Sequence, residues 1–308
     1  MDQQIVTIGV LTYNSSKYVI ETLESIKAQT YPSLILQISD DCSTDDTIEI
    51  CKKWIEDNKE RFVKTKVIIP DHNTGVSANA NRNWDECETE WIKDIAGDDL
   101  LLPNCIEDNM KYIEKHPDAV VVFSKVKGFR ASNGKKKLVD IPWHDYSFFN
   151  LTPKEQYNFL FYKGNHLPAA SCFYNIKNLR KMGIRHDERI PLLEDYPKWI
   201  MFARKGVYFY FLNKHTIEYR LNEDSLSVGL YSPIFYKSNL LFYLYYYQDD
   251  IKQEEDRNAV YNLMCDEVLR FYAKTYNYAN YYRNSPDYKI GHILLYPFRF
   301  FWHLLKND

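Results

Sequence analysis

The chain of 308 residues can form one large domain or two smaller ones with a real core, and its net charge of −3 with no basic stripe excludes a nucleic-acid footprint. Its six cysteines are scattered without a CxxC pair, which reads as buried thiols in a reducing compartment. Met1-Asp2-Gln3-Gln4 has neither a basic n-region nor an apolar h-region, and no apolar run reaches the ~18 residues of a spanning helix, so a cytoplasmic location is expected.

In chain order, Val6–Leu11 is a strand-like apolar run. Ser15 or Ser16 can cap a helix with Val19, Leu23 and Ile26 on one face, broken by Pro32. Leu34–Ser39 is the next strand. Thr44 or Asp45 then caps a helix striped by Ile48, Cys51 and Ile55. A short strand at Val67–Ile69, a helix over Ser77–Glu88 and a strand at Trp91–Ala96 complete a βαβα order. That order predicts an α/β fold with a mainly parallel sheet flanked by helices. A helix around Ile106–Lys115 and a strand at Ala119–Ser124 follow. Residues 125–165 read as irregular, with a basic turn at Asn133–Lys137 that suits a solvated hairpin tip. Helix and strand alternate again from Ile176 to Tyr219. Beyond Pro233 the chain reads as a helical, aromatic-rich extension, and many of its 26 tyrosines lie in this half.

Polar and acidic residues gather where the strands run out. Val6–Leu11 ends in Thr12-Tyr13-Asn14, Leu34–Ser39 in Asp40-Asp41, and Trp91–Ala96 in Gly97-Asp98-Asp99. Ligands of open α/β sheets bind beyond the carboxyl ends of the strands. Three acidic or polar strand ends therefore describe one site, and its bare carboxylates would repel a phosphate without a divalent cation between them. The site reads as metal plus nucleotide diphosphate.

Each residue also has a plainer role. Tyr13 can stack on a base and Asp41 can accept a base N–H, or the two can pack under a turn and cap a helix. Asp40 points to the opposite face of its strand from Asp41. Asp98 and Asp99 raise each other's pKa, which a hard cation such as Mg2+ or Mn2+ resolves. Asp195, after Glu194, precedes a helix carrying Trp199, Phe202 and Ala203. It is either an N-cap or a general base, and a helix N-terminus lowers the pKa that a base needs raised. Arg220, with Ser225 and Ser227 beyond it, suits a diphosphate or a surface salt bridge. No HxxxH, P-loop, GxGxxG or GxSxG is present, against zinc, kinase, dinucleotide and hydrolase readings.

Taken as an ordered set, Val6–Asn14, Asp40–Thr47, Asn73-Thr74-Gly75, Ala96–Asp99 and Glu194-Asp195 resemble the family 2 glycosyltransferases over about the first 225 residues. The resemblance implies a GT-A fold and inverting, metal-dependent transfer from a nucleotide-sugar donor. It assigns Tyr13 and Asp41 to the base and Asp98 to the ribose, and Thr12, Asn14 and Arg220 complete the nucleotide-binding candidates from their strand-end positions. Asp99 and Asp98 are assigned to Mn2+ or Mg2+, and Asp195 to the catalytic base. Ala96 departs from the family's DxDD run, placing ribose contact on Asp98 and metal contact mainly on Asp99. With no QxxRW motif, a single addition to a hydroxyl of a glycan or lipid-linked glycan is expected. Uridine is the expected base, with deoxythymidine and guanosine open.

The expected layout is a catalytic domain over 1–225, split into a nucleotide-sugar half (1–120) and an acceptor half (121–225), and a C-terminal region over 226–308. The tail 288–306 reads either as an interfacial segment at the inner face of the membrane or as packing against the catalytic domain or a second subunit. A sugar-nucleotide nucleotidyltransferase would carry a glycine-rich phosphate loop where this chain has Thr12–Ser16. A non-catalytic nucleotide-sugar-binding subunit is the other alternative.

Overall fold

The computed structural model describes residues 3–132, 135–141, 144–221 and 233–247, with 258, 260–262 and 264–265. It divides into two compact units, residues 1–228 and 229–308.

The first unit is built on a nine-stranded sheet. Its early strands are β1 (Val6–Thr12), β2 (Leu34–Asp40), β3 (Lys64–Ile68) and β4 (Trp91–Ala96), followed by β5 (Leu100–Leu101). The later ones are β6 (Val121–Ser132), β7 (Lys135–Val139), β8 (Phe173–Asn175) and β9 (Phe209–Arg220). The sheet order is β3-β2-β1-β4-β8-β6-β9-β5, with β7 paired to β6. Strands β1 to β4 are mutually parallel, and β8 is antiparallel to both β4 and β6. Because β9 is parallel to β6, β1, β2, β4, β6 and β9 all point the same way. Their carboxyl ends therefore share one edge.

β1 and β2 are buried along nearly their whole length, as expected for strands covered on both faces. Helix α1 (Val19–Lys27) buries Val19, Thr22, Leu23 and Ile26, one helical stripe. Its neighbours are α2 (Thr47–Asn58), α3 (Val76–Asp85) and α4 (Cys105–Ile113). Gly9 lets α3 close on β1: a Cβ there would lie 2.3 Å from Asn83 Nδ2. In the later half, α5 (Pro153–Lys163), α6 (Ile176–Lys181) and α7 (Tyr196–Arg204) surround an aromatic core. In that core the Phe123 ring meets Trp199 edge-on at 5.0 Å, and Phe149 stacks on Phe211 at 4.5 Å.

Several expectations change. No Ser15 or Ser16 side chain caps α1, whose N-cap position is Tyr18. Helix α2 starts behind Asp46, although the Asp45 carboxylate does take the Thr47 N–H at 3.0 Å. Residues 125–165 are not irregular, since they complete β6 and form β7, a 3-10 turn at Tyr146–Asn150, and α5. The extension of β6 interleaves the buried Val126 and Phe129 with Lys125, Lys127 and Arg130, so it leaves no continuous apolar run.

In the second unit, α8 spans Pro233–Tyr246 and brings Phe242, Tyr243, Tyr246 and Tyr247 into ring contact. Among the described residues, no helix is long and apolar enough to cross a membrane. Residues 288–306, Ser225 and Ser227 lie outside the described residues.

Candidate active site

The loops after β1 and β2 are knitted into one surface. The Asp41 N–H donates to Thr12 O at 2.9 Å, and the Thr12 hydroxyl donates to Asp40 at 2.7 Å. Asn14 sits at φ 50 and Cys42 at φ 63, backbone conformations that need support in non-glycine residues. Asn14 has it: its N–H donates to Ser43 Oγ and its Oδ1 accepts from the Thr44 N–H, both at 2.8 Å. Thr12 and Asn14 thus spend their polar atoms inside the loop. Tyr13 is 50% exposed and presents its ring outward.

Asp41 is buried and anchors the turn before α3. Its Oδ1 accepts from the Thr74 N–H (3.0 Å), the Thr74 hydroxyl (2.6 Å) and Arg82 Nη2 (2.9 Å). Oδ2 accepts only the Gly75 N–H, at 2.7 Å among these bonds, which leaves it a lone pair. Thr74 and Arg82, which bond this carboxylate, line an open cleft of about 530 Å³ together with His72, Asn73, Arg185 and Glu188 among others.

The turn after β4 is held from three sides. The Gly97 N–H donates to Leu11 O at 2.9 Å, and a Cβ on Gly97 would lie 2.8 Å from the Thr12 methyl. The Thr22 hydroxyl of α1 donates to Asp99 O at 2.8 Å. From β9, the Arg220 N–H donates to Asp99 Oδ1 at 2.9 Å and Arg220 Nε to Asp98 O at 2.7 Å.

Both carboxylates titrate high. Burial, then the charge of Asp98, pushes Asp99 well above the usual carboxylate range. Burial raises Asp98 too, against the nearby Arg220 guanidinium. The two differ in access. Asp99 is 2% exposed, whereas Asp98 is partly open.

Arg220 is 1% exposed, while its acidic partner Glu21 is half-exposed. Its Nη2 pairs with Glu21 at 2.8 Å, and its guanidinium lies 4.5 Å from both the Tyr18 and Phe129 rings. It braces the Asp98-Asp99 turn from behind.

Asp195 is the N-cap of α7, with Oδ1 accepting from the Tyr196 N–H at 2.7 Å. Its other oxygen takes the Asn165 side-chain N–H at 2.8 Å. The Asn165 amide is oriented by its own Oδ1, which accepts the Leu167 N–H at 3.1 Å. Burial and the charge of Asp195 raise Glu194 to about 7. Beneath them Lys198 is buried, donates to Tyr174 Oη at 3.0 Å and lies over the Trp84, Tyr174 and Trp199 rings. His186 donates Nδ1–H to Glu194 O at 3.0 Å, and burial followed by the Lys198 charge holds it well below the usual imidazole range. Trp84 Nε1 donates to Asp94 of β4 at 2.7 Å, so the same ring joins α7 to the central sheet.

Thr12, Tyr13, Asn14, Asp41, Asp98, Asp99 and Arg220 are thus brought together at the strand-end edge, and Asp195 stands on α7 with its cap and amide bonds. Sequence reasoning missed Arg82, Asn165 and Lys198. Arg82 stands seven residues after Gly75, two helical turns along α3, a spacing that could have pointed to it. The sequence marks Lys163-Gly164-Asn165-His166 as an acceptor-side turn without a role, and nothing in it points to Asp195, thirty residues later, which Asn165 meets.

A parallel sheet with a bonded acidic pair at its carboxyl edge, continued by antiparallel strands and a capped aspartate, defines a GT-A-type fold. The crystal structure of S. aureus TarS 1–349 in complex with UDP-GlcNAc matches it with a TM-score of 0.62 at 20% identity, covering 87% of this chain and 73% of that one. Residues 7–182, more than half of the 308, match the family described as glycosyl transferase family 2, and the chain belongs to that family. EpsE of Bacillus subtilis (strain 168), named as a glycosyltransferase, is 28% identical over 215 residues, 69% of this chain and 71% of its own length. Poly(ribitol-phosphate) beta-N-acetylglucosaminyltransferase TarS of Staphylococcus aureus (strain Mu50) is 32% identical over 125 residues, 40% of this chain and 21% of its own. The protein is a glycosyltransferase.

Proposed function

We propose that this glycosyltransferase moves a sugar, with inversion, from a UDP-sugar to a hydroxyl of a glycan or lipid-linked glycan, one residue per encounter and with a divalent cation. The observation that carries the reading is the Asp98-Asp99 pair, whose carboxylates are both raised by burial at the edge where the parallel strands end. TarS, which shares the fold, has been crystallised with UDP-GlcNAc and with UDP, and this supports the choice of donor.

The donor set fits a hard cation. Two carboxylates that resist ionising together gain from a divalent charge, and both offer oxygen. Among the described residues no cluster of three or more His, Cys, Asp or Glu is placed to hold a metal. Asp98, the more open of the two, would hold the ion, with Asp99 behind it and the remaining ligands drawn from donor phosphates and water. When bound, Mn2+ or Mg2+ supplies Lewis-acid stabilisation of the charge that develops on the departing diphosphate.

The chain's own residues do the rest. Tyr13 offers a stacking face for the base, and the spare lone pair of Asp41 Oδ2 accepts a base N–H beside the cleft of about 530 Å³. Thr12, Asn14 and Arg220 hold the loops that carry these groups. Asp195 takes the proton of the acceptor hydroxyl as that oxygen attacks the anomeric carbon from the face opposite the diphosphate, so one displacement inverts the configuration.

A screen of nucleotide sugars by thermal shift, with Mn2+ or with EDTA, tests the reading. Stabilisation by a UDP-sugar that requires the metal is expected, because a ligand of the folded state raises its melting temperature. Equal shifts in EDTA and Mn2+ would remove the metal from the proposal, and a donor that stabilises without turning over would favour a binding subunit.

A further inference from the structure

The β6–β7 hairpin inverts the charge balance of the chain. Against a net −3 overall, residues 125–140 hold Lys125, Lys127, Arg130, Lys135, Lys136 and Lys137 with Asp140 as the sole acid. Lys127 pairs with Asp140 at 2.5 Å, and Lys136 pairs with Glu218 of β9. Among the described residues, Lys125, Arg130, Lys135 and Lys137 have no acidic partner.

The register sets like charges against each other. Arg130 stands directly opposite Lys137 across β6–β7. Like charges directly across a strand pair are destabilising. Lys125 faces His215 across β6–β9, and burial, then the charges of Lys125 and Lys127, lowers the His215 pKa against the pull of Asp140, so this imidazole stays neutral beside the two lysines. A turn that only needed solvation would gain from alternating signs. This ribbon forgoes that gain, and an external anion would restore it.

Its position says which anion. β6 ends at the same edge as β1, β2, β4 and β9. Phe129 pairs with Arg220, whose N–H holds Asp99, and Arg130 is the next residue along β6. Arg130, paired with Lys137 of β7, therefore stands one residue beyond the brace of the acidic turn. Cations on alternate residues of a strand recur about every 7 Å, a repeat that suits an extended chain with regularly spaced charges. The turn sequence Ser132-Asn133-Gly134 offers no apolar residue to enter an acyl layer.

We propose that the β6–β7 ribbon binds a polyanionic acceptor, a glycan or polyol chain bearing phosphates or carboxylates at intervals, and leads it to the strand-end site. The proposal rests on the glycosyl-transfer reading and names the acceptor class for it.

The test uses the full chain and two variants, the double Arg130→Gln/Lys137→Gln and the single Lys135→Gln. Fluorescently labelled poly(ribitol phosphate), a polyuronate, a length-matched neutral dextran and vesicles containing anionic lipid serve as probes at low and high salt. The wild type should bind one or both anionic polymers at least about tenfold more tightly than dextran, with an advantage that fades as salt rises. Both variants should lose most of that advantage, and the double variant should melt no lower than wild type because a like-charge pair is gone. Which polymer binds tells phosphate from carboxylate. Anionic-polymer binding equal to dextran, or unchanged in the variants, overturns the proposal, as does vesicle binding that alone depends on the ribbon. Thermal stabilisation by UDP with Mn2+ is read in every protein. Its absence throughout would sink the nucleotide-sugar reading, whereas its presence without polymer discrimination sinks only the ribbon.

Discussion

Glu194→Gln should make the protein more stable, and only at higher pH. Glu194 lies next to Asp195, and burial together with that neighbouring charge lifts its carboxyl from 4.5 to about 7. A folded-state pKa above the unfolded value means that protonation favours the fold. The associated stability is complete below the unfolded pKa and is lost as pH rises through about 7. The interval between 4.5 and about 7 corresponds to a penalty of roughly 3 kcal/mol once the group is ionised. Glutamine keeps the shape and cannot ionise, so at pH 8 the variant should exceed wild type by up to that amount. At pH 5 both side chains are neutral in the fold and the difference should nearly vanish. Urea unfolding followed by tryptophan fluorescence suits the test, since Trp84 and Trp199 lie over the buried Lys198 under the pair. Equal urea midpoints at pH 8, or a less stable variant, would refute the reasoning and mean that Lys198 already compensates the ionised pair.

Asp195→Asn should keep donor affinity near wild type while lowering turnover at least ~10²-fold, as loss of a general base requires; an active variant in single-turnover assays returns Asp195 to an N-cap role alone. Asn165→Ala removes one of the N–H donors that orient Asp195, so single-turnover rate should fall with nucleotide affinity unchanged, and an unchanged rate refutes the positioning role. Asp98→Ala should abolish the metal's effect on UDP binding by calorimetry. Asp41→Ala should weaken UDP binding while leaving the metal requirement in place, and a loss of that requirement would count against the division between base and metal sites.

The strand–helix order of the first hundred residues was legible because buried parallel strands and one-sided helices leave periodic apolar runs, as β1, β2 and the Val19–Ile26 stripe of α1 do. The acidic strand ends were legible for the same reason, since the end of an apolar run marks the edge of a sheet. What only the tertiary structure decided is which polar atoms are free. Thr12, Asn14 and Arg220 look as available in sequence as Tyr13, yet their bonds to Asp40, Thr44 and Glu21 commit them to holding loops. Asp98 and Asp99 are adjacent and chemically identical, and only the approach of β9, which hands the Arg220 N–H to Asp99, makes one buried and leaves the other open. The Asn165 contact and the full length of β6 were not legible for a related reason. A single long-range hydrogen bond has no period, and Val126 and Phe129, buried among lysines, are too few to make an apolar run.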